Sequence, residues 1–261
     1  MNITALKSRP LLPPKDDLFA ALDEALPSAS WRMPERSVVA VSSKVVAIGE
    51  GRCVLPPAGL DERGLLEYKD TLAQEEAEYY IPRDQEQQYS CFFALKESVF
   101  IPSAGIDQSN GNGYFILWPT DALHSAREIR AHLMKRHDIS DLGVLITDST
   151  SAPLRNGVTG KAIGYAGFRA LYDYRGQQDI FGRQLKSERL NIADSIAAAA
   201  VLAMGEGNEC APFVLIEDIP HIVFSETESE DPLLSLSVSM VDDIFAPFFK
   251  LAPWRRGGKR E

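Results

Sequence analysis

Cys91-Phe92-Phe93-Ala94-Leu95, Ser98-Val99-Phe100-Ile101 and Tyr114-Phe115-Ile116-Leu117-Trp118 are short apolar runs rich in aromatic and β-branched residues, and each predicts a strand. The second and third flank a polar, glycine-rich loop, Gly105-Ile106-Asp107-Gln108-Ser109-Asn110-Gly111-Asn112-Gly113, which is the first candidate site. Upstream, residues 61 to 80 read as a charged helix, and Val38-Val39-Ala40-Val41 reads as a buried strand leading into a turn near Lys44. Asp16-Asp17 opens a helix carrying Leu18, Phe19, Leu22 and Leu26, with its acids favoured by the helix dipole and its end set by Pro27. Downstream, Thr120 is placed to cap a helix running to about His137, and the apolar strand Gly143-Val144-Leu145-Ile146-Thr147 stops at Asp148-Ser149-Thr150. Polar groups at a strand's end are common ligand positions. From Ser187 the chain enters an alanine-rich helix through Ile192–Met204, ended by Gly205, and Phe213-Val214-Leu215-Ile216 is a further strand. Strands and helices thus alternate irregularly. The expected fold is α+β, with mixed α/β content and irregular mixed sheets packed by helices, rather than a regular doubly wound sheet.

The 261 residues are 45% hydrophobic and 25% charged, which excludes disorder and collagen-like structure. No apolar run is long enough for a membrane span and no secretory signal is visible, so a cytoplasmic protein is expected. Lys and Arg total 27 against 37 Asp and Glu, a net charge of -10, which argues against the basic face that nucleic-acid binding needs. Neither nucleic acid nor membrane is expected as a partner. Cys53, Cys91 and Cys210 are too scattered for a disulfide framework or a zinc site, so any metal should sit on oxygen ligands. No internal repeat stands out. One catalytic unit over 1–221 is expected, followed by a C-terminal extension over 222–261 with acidic residues around 226 to 231, the apolar stretch Ile244-Phe245-Ala246-Pro247-Phe248-Phe249 and a basic end through Lys259-Arg260.

A magnesium or manganese ion that holds nucleotide phosphates takes one or two protein carboxylates and fills its shell with phosphate and water oxygens. Three loops offer such groups: Asp107, Asp148 with Ser149, and Glu206 in Met204-Gly205-Glu206-Gly207-Asn208. Two lookalikes fail. In Gly157-Val158-Thr159-Gly160-Lys161-Ala162 the spacing is too short for a Walker phosphate loop, and Ala162 stands where Ser or Thr would reach the metal. Asp107-Gln108-Ser109-Asn110-Gly111 lacks the acids and the glycine position of a calcium-binding helix-loop-helix.

Taken together, Ala104-Gly105-Ile106-Asp107-Gln108-Ser109-Asn110, Ile146-Thr147-Asp148-Ser149, the run Arg155–Gly164, Asp173-Tyr174-Arg175-Gly176, Asp179-Ile180-Phe181-Gly182-Arg183, Ala193-Asp194-Ser195-Ile196-Ala197 and Met204-Gly205-Glu206 resemble the coenzyme F420-0 gamma-glutamyl ligases, in order and in approximate spacing. The resemblance runs from about Arg9 to about Ile216. It implies a GTP-dependent ligase that joins L-glutamate to a deazaflavin precursor, with two divalent metals, Mn2+ or Mg2+, with K+ as a further activator, and with a homodimeric assembly. Residue by residue, it implies metal ligation by Asp107, Asp148, Ser149 and Glu206. It implies nucleotide contacts by Arg9, Pro10, Leu11, Leu12, Ser43, Lys44 and Asn110, and by Met204, Gly205, Glu206, Gly207, Asn208, Glu209, Cys210 and Ala211.

The chain departs from the family pattern at Ile48, where a lysine is usual, and at Ser149-Thr150-Ser151-Ala152, which lacks the usual glycine and arginine. Lys44 is the nearby cation that would substitute for the first. The second leaves the acceptor open between a deazaflavin precursor and another small acid such as a folate. A carboxylate must be activated before an amine attacks it, and transfer of the nucleotide's terminal phosphate to give an acyl phosphate does this without an enzyme nucleophile. Arg155 and Arg175 are the candidates for gripping the substrate carboxylate or the transferring phosphate. Asp173, Asp179 and Asp194 read first as structural acceptors, His124, His132 and His137 as surface residues, and His221 as a residue without a partner. The competing reading is a catalytically silent nucleotide-binding sensor or scaffold that keeps the ligase fold.

Overall fold

Val38-Val39-Ala40-Val41 alternates between two cores, Val39 and Val41 facing one and Val38 and Ala40 the other, and is buried throughout because both faces of its sheet are covered. The computed structural model describes residues 1–28, 30–84, 90–226 and 231–258; residues 227–230 of the acidic stretch and Lys259 and Arg260 of the basic end lie outside the described residues. In chain order the elements are β1 (Asn2–Leu6), α1 (Leu18–Ala25), β2 (Ser37–Ser42), α2 (Ser43–Glu50), β3 (Cys53–Val54), α3 (Glu62–Glu76), β4 (Tyr79–Ile81), β5 (Phe93–Lys96), β6 (Val99–Pro102), β7 (Phe115–Ile116), α4 (Ala122–His137), β8 (Leu142–Ser151), β9 (Val158–Ala166), β10 (Leu171–Asp173), β11 (Arg189–Asn191), α5 (Ile192–Met204), β12 (Phe213–Glu217), α6 (Ala246–Phe249) and β13 (Arg255–Arg256).

The main sheet runs β1-β12-β2-β8-β9, with β2 and β8 parallel and the other neighbours antiparallel. Helices α1, α2 and α4 cover one face through Leu22, Val46, Ile129 and Leu133, and α5 covers the other through Ile196, Ala197 and Ala200. A second sheet, β13-β4-β5-β6, packs with α3 around Ala73, Tyr80, Phe92, Ala94 and Phe115. This is the mixed α+β arrangement expected from the irregular alternation. Among the described residues no helix is long and apolar enough to cross a membrane.

The glycine-rich run that superficially looks like a phosphate loop is in fact strand β9. A Cβ on Gly160 would come within 2.2 Å of the Ala197 carbonyl of α5, and one on Gly164 within 2.4 Å of the Ala122 carbonyl of α4. These glycines therefore admit two helices onto the sheet, one on each face.

Other boundaries differ from the sequence reading. Strand β8 continues through Asp148 to Ser151, because Thr147–Ser151 pair with β9 residues beyond a bulge at Ile146/Thr147. Ser43–Glu50 is a helix, not a turn, ended by Gly51 in the left-handed conformation. Asp121, not Thr120, caps α4 by accepting from the His124 amide. The alanine-rich helix begins at Ile192, capped by Asn191 and preceded by β11. His137 is only 4% exposed and packs edge-on against Trp31, so it is not a surface residue. His221 lies against the rings of Tyr172 and Tyr174. In the tail, Phe249 and Trp254 pack on Phe100 while Ile244, Phe245 and Phe248 stay exposed.

Candidate active site

The parallel register of β2 and β8 pairs Ser42 with Thr147, so the first residues of α2 emerge beside Asp148 at the C-terminal end of the strand pair. Ser43 Oγ donates to Asp148 Oδ1 at 3.1 Å, and Trp118 Nε1 donates to Asp148 Oδ2 at 2.6 Å. The bulge in the β8–β9 ladder immediately precedes Asp148, a device that re-aims side chains next to sites.

Asp107 arrives from the other side. Its backbone exchanges two hydrogen bonds with Ile116 of β7, at 2.9 and 2.8 Å. Its carboxylate accepts from the Ser109 amide at 2.7 Å and the Ser109 hydroxyl at 3.0 Å, and pairs with Lys44 Nζ at 2.7 Å. Lys44 also donates to the Ser109 carbonyl at 2.9 Å. Ile48, by contrast, is 3% exposed and lies in the core, so Lys44, one helical turn earlier, is the α2 residue that carries positive charge to the carboxylates.

The third acid comes from the segment after α5. Ser149 Oγ donates to Glu206 Oε2 at 3.2 Å, and Asn110 Nδ2 donates to the Gly207 carbonyl at 2.9 Å. The Ser8 amide bonds to the Cys210 carbonyl and the Ser42 amide to the Pro212 carbonyl, each at 2.9 Å, which fixes this segment beside α2. The Glu209 carboxylate accepts from the Gly207 amide at 2.8 Å. Ser43, Lys44, Asn110, Asp107, Asp148, Ser149 and the loop from Gly205 to Cys210 are thus joined through direct contacts at one end of the main sheet.

Other sequence candidates stand apart or are already engaged. Arg9 closes a two-pronged pair with Asp16, 2.7 and 2.9 Å, and reaches Glu24; the Leu12 amide bonds to the same Asp16, with Leu11 buried and Leu12 exposed. Arg155 is exposed in the β8–β9 turn, its side chain without a hydrogen bond or ion pair among the described residues. Arg175 grips Asp173 and also Asp231, the latter at 2.7 Å. Asp179 folds back onto the amides of Phe181 and Arg183. Asp194 ties α5 to β9, accepting from Lys161 Nζ and the Ala162 amide, both at 3.0 Å.

Burial pushes the Asp148 carboxyl up to about 6, and the nearby Asp107 charge adds to the rise against the pull of the Trp118, Ser43 and Ser149 donors. Burial also pushes Asp107 upward, but the Lys44 ammonium and the Ser109 donors outweigh it and hold that carboxyl below its ordinary value. Two carboxylates close enough to feel each other, one of them buried with no cation partner among the described residues, form a site that favours added positive charge. Among the described residues no three His, Cys, Asp or Glu side chains form a ready-made cage. The donors are all oxygens and few, the set that suits Mg2+ or Mn2+ completed by phosphate and water.

Sequence reasoning missed Trp118, Ser109 and Lys69 as site residues. Trp118 carried a usable signal, since an indole in an apolar run needs an acceptor for its N–H once buried. Lys69 carried none. It lies half-buried on α3, where burial lowers its pKa and the Asp107 charge opposes that fall. A cleft of about 630 Å³ lies away from these carboxylates, between α1, α2 and α4, and is lined by Asp16, Asp17, Glu50 and Glu128, charges that would repel phosphate.

A family model described as F420-0:Gamma-glutamyl ligase matches residues 8–218. The chain is 34% identical over 217 residues to the coenzyme F420:L-glutamate ligase of Methanopyrus kandleri, covering 79% of this chain and 82% of that protein. It is 28% identical over 198 residues to the enzyme of the same name from Methanococcus maripaludis, covering 74% and 79%. It is 38% identical over 121 residues to that of Methanocaldococcus jannaschii, covering 46% and 48%.

Proposed function

Because the chain belongs to the F420-0:gamma-glutamyl ligase family, we propose that it joins the amino group of L-glutamate to a carboxylate of a deazaflavin coenzyme precursor at the expense of GTP. The chain is an amino-acid ligase that adds glutamate. The acceptor, the nucleotide and the ions are the proposal.

An acceptor carboxylate oxygen attacks the terminal phosphorus of GTP, the bond from that phosphorus to the bridging oxygen breaks, and GDP leaves. The glutamate amine then attacks the carbonyl carbon of the acyl phosphate, loses a proton, and inorganic phosphate departs as the amide forms. Asp107 and Asp148, with Ser149 and Glu206, would hold Mn2+ or Mg2+. Bound there, such ions neutralise charge on the phosphate oxygens. Lys44 adds a fixed cation, and Ser43, Asn110 and the backbone from Gly205 to Cys210 border the nucleotide. Arg155 is free to close on the acceptor carboxylate, whereas Arg175 would first have to leave Asp173 and Asp231. K+ serves as a further activator, and the working form is a cytoplasmic homodimer that covers exposed tail residues such as Ile244 and Phe248.

The observation that carries this reading is the placement of Ser43 and Lys44 between two carboxylates, Ser43 on Asp148 and Lys44 on Asp107. It is tested by mass spectrometry of reactions holding GTP or ATP, Mn2+, K+, L-glutamate and either the deazaflavin precursor or reduced folate. A glutamyl gain on the deazaflavin acceptor with GTP supports the assignment. A gain on folate alone, or only with ATP, overturns it.

A further inference from the structure

Asp148 is buried and offers both oxygens to neighbours, so something must hold its carboxylate in one rotamer. The strongest hydrogen bond it accepts is from Trp118, at 2.6 Å. That indole is itself fixed on every side. Its ring packs against Gly105 so closely that a Cβ there would fall 2.1 Å from Nε1, and Gly105 has a φ of +75° that only glycine adopts without strain. The Trp118 carbonyl accepts from Arg52 Nε at 3.0 Å. Lys96 Nζ lies over the Trp118 ring, 5.6 Å from its centroid. Arg52 and Lys96 both end on one oxygen of Glu76, each at 2.6 Å, and all three side chains are largely shielded from solvent. Removing such an ion cluster from water offsets most of what its attraction returns. Its consequence is therefore directional: it fixes where the Trp118 ring and backbone sit.

We infer that Trp118 is the positioning residue of the Asp148 carboxylate, and that the Arg52–Glu76–Lys96 cluster is the brace that holds Trp118. The inference rests on the proposed cation site. An ionised carboxylate has about four acceptor positions. With Ser43 on one oxygen, Trp118 on the other and the Ser149 amide as a third donor, one acceptor position is left for a cation, and the rotamer that presents it is set before the cation arrives. Trp118 touches neither substrate nor nucleotide in this account; it acts through Asp148.

The test uses the full chain at saturating GDP, titrated with Mn2+ and separately with Mg2+. Binding is read as a rise in melting temperature and as quenching of indole fluorescence, which paramagnetic Mn2+ produces at short range and Mg2+ does not. In the wild-type chain Mn2+ should quench part of the fluorescence over the same concentrations that raise stability. Trp118→Phe keeps an aromatic ring and removes the N–H. It should lose the quenched component, keep its circular dichroism spectrum, and need at least about tenfold more Mn2+ for the same stabilisation. Lys96→Met keeps the N–H and removes the charge over the ring, and should also weaken Mn2+ binding, by less. A role confined to packing would lower the metal-free melting temperature and leave the Mn2+ concentration dependence unchanged. A folded Trp118→Phe chain that responds to Mn2+ like the wild type overturns the inference. If that variant does not fold, a wild-type chain stabilised by Mn2+ with no quenching overturns it, as does wild-type Mn2+ affinity in Lys96→Met. Failure of the wild type to respond to Mn2+ removes the cation site and the inference together. A wild type that binds Mn2+ with quenching but transfers no glutamate leaves Trp118 in place and refutes only the proposed reaction.

Discussion

Lys44 Nζ lies 2.7 Å from Asp107 Oδ2, while the residue beside it, Ser43, bonds Asp148. One turn at the start of α2 therefore spans two carboxylates that are separated by 41 positions in sequence. Removing the Lys44 charge with Lys44→Met should weaken nucleotide binding at least about tenfold, since a phosphate loses a point cation in a partly buried site. Calorimetric titration with GDP and Mn2+ measures it; unchanged affinity would take Lys44 out of the site.

Ile48→Lys introduces the lysine that the resemblance implies at this position, yet Ile48 is in the core. Burying an ammonium there should cost on the order of 3 kcal/mol. Urea denaturation should show that loss, with no gain in nucleotide affinity.

Gly105→Ala forces a Cβ into the Trp118 ring and a strained φ onto alanine. The expected cost is about 2–4 kcal/mol. Because the displaced ring is the one that holds Asp148, Mn2+ binding should weaken in the same variant, and a folded Gly105→Ala chain with intact Mn2+ response would separate the two.

Both ring nitrogens of His137 are buried without a hydrogen-bond partner among the described residues. Burial pushes its pKa below the ordinary histidine value, and the Arg136 and Arg32 charges push the same way. The folded state therefore resists protonation while the unfolded state accepts it. Stability from this group is fully present above the unfolded histidine pKa of about 6.5 and falls as pH drops through it toward the lower folded value, by at most about 1.4 kcal/mol per pH unit. His137→Phe should flatten the stability profile between pH 7.5 and 5. A profile parallel to the wild type would show that His137 titrates normally.

The residues of the candidate site were legible because they sit in short motifs: Asp107 in its polar loop, Asp148 in an apolar run that ends in polar residues, Glu206 after a helix stop. The irregular alternation around residues 91–118 likewise announced the mixed fold. What stayed hidden depended on distant partners. The chain near Lys44 reads as a turn after a buried strand, whereas Ser43–Glu50 is a helix that packs Val46 and Ile48 into the core. With a phosphate loop rejected, Gly160 and Gly164 have no assigned purpose in the sequence; in the fold it is the close approach of α5 and α4. The bond from Trp118 to Asp148 crosses thirty positions, and no local pattern encodes it. Arg175 read as a grip for substrate because Asp231, its second carboxylate, lies 56 positions away.

The most direct measurement compares the wild type with Asp148→Asn for glutamyl transfer. Asn keeps the side chain's shape, accepts from Trp118 through its oxygen and donates to Ser43 through its amide, and removes a buried charge. The variant should therefore fold at least as stably as the wild type without metal. In reactions holding GTP, Mn2+, K+, L-glutamate and the deazaflavin acceptor, mass spectrometry should show glutamyl addition by the wild type and a rate lower by at least about a hundredfold for the variant. Asp148→Asn with the wild-type rate would contradict the account at its centre.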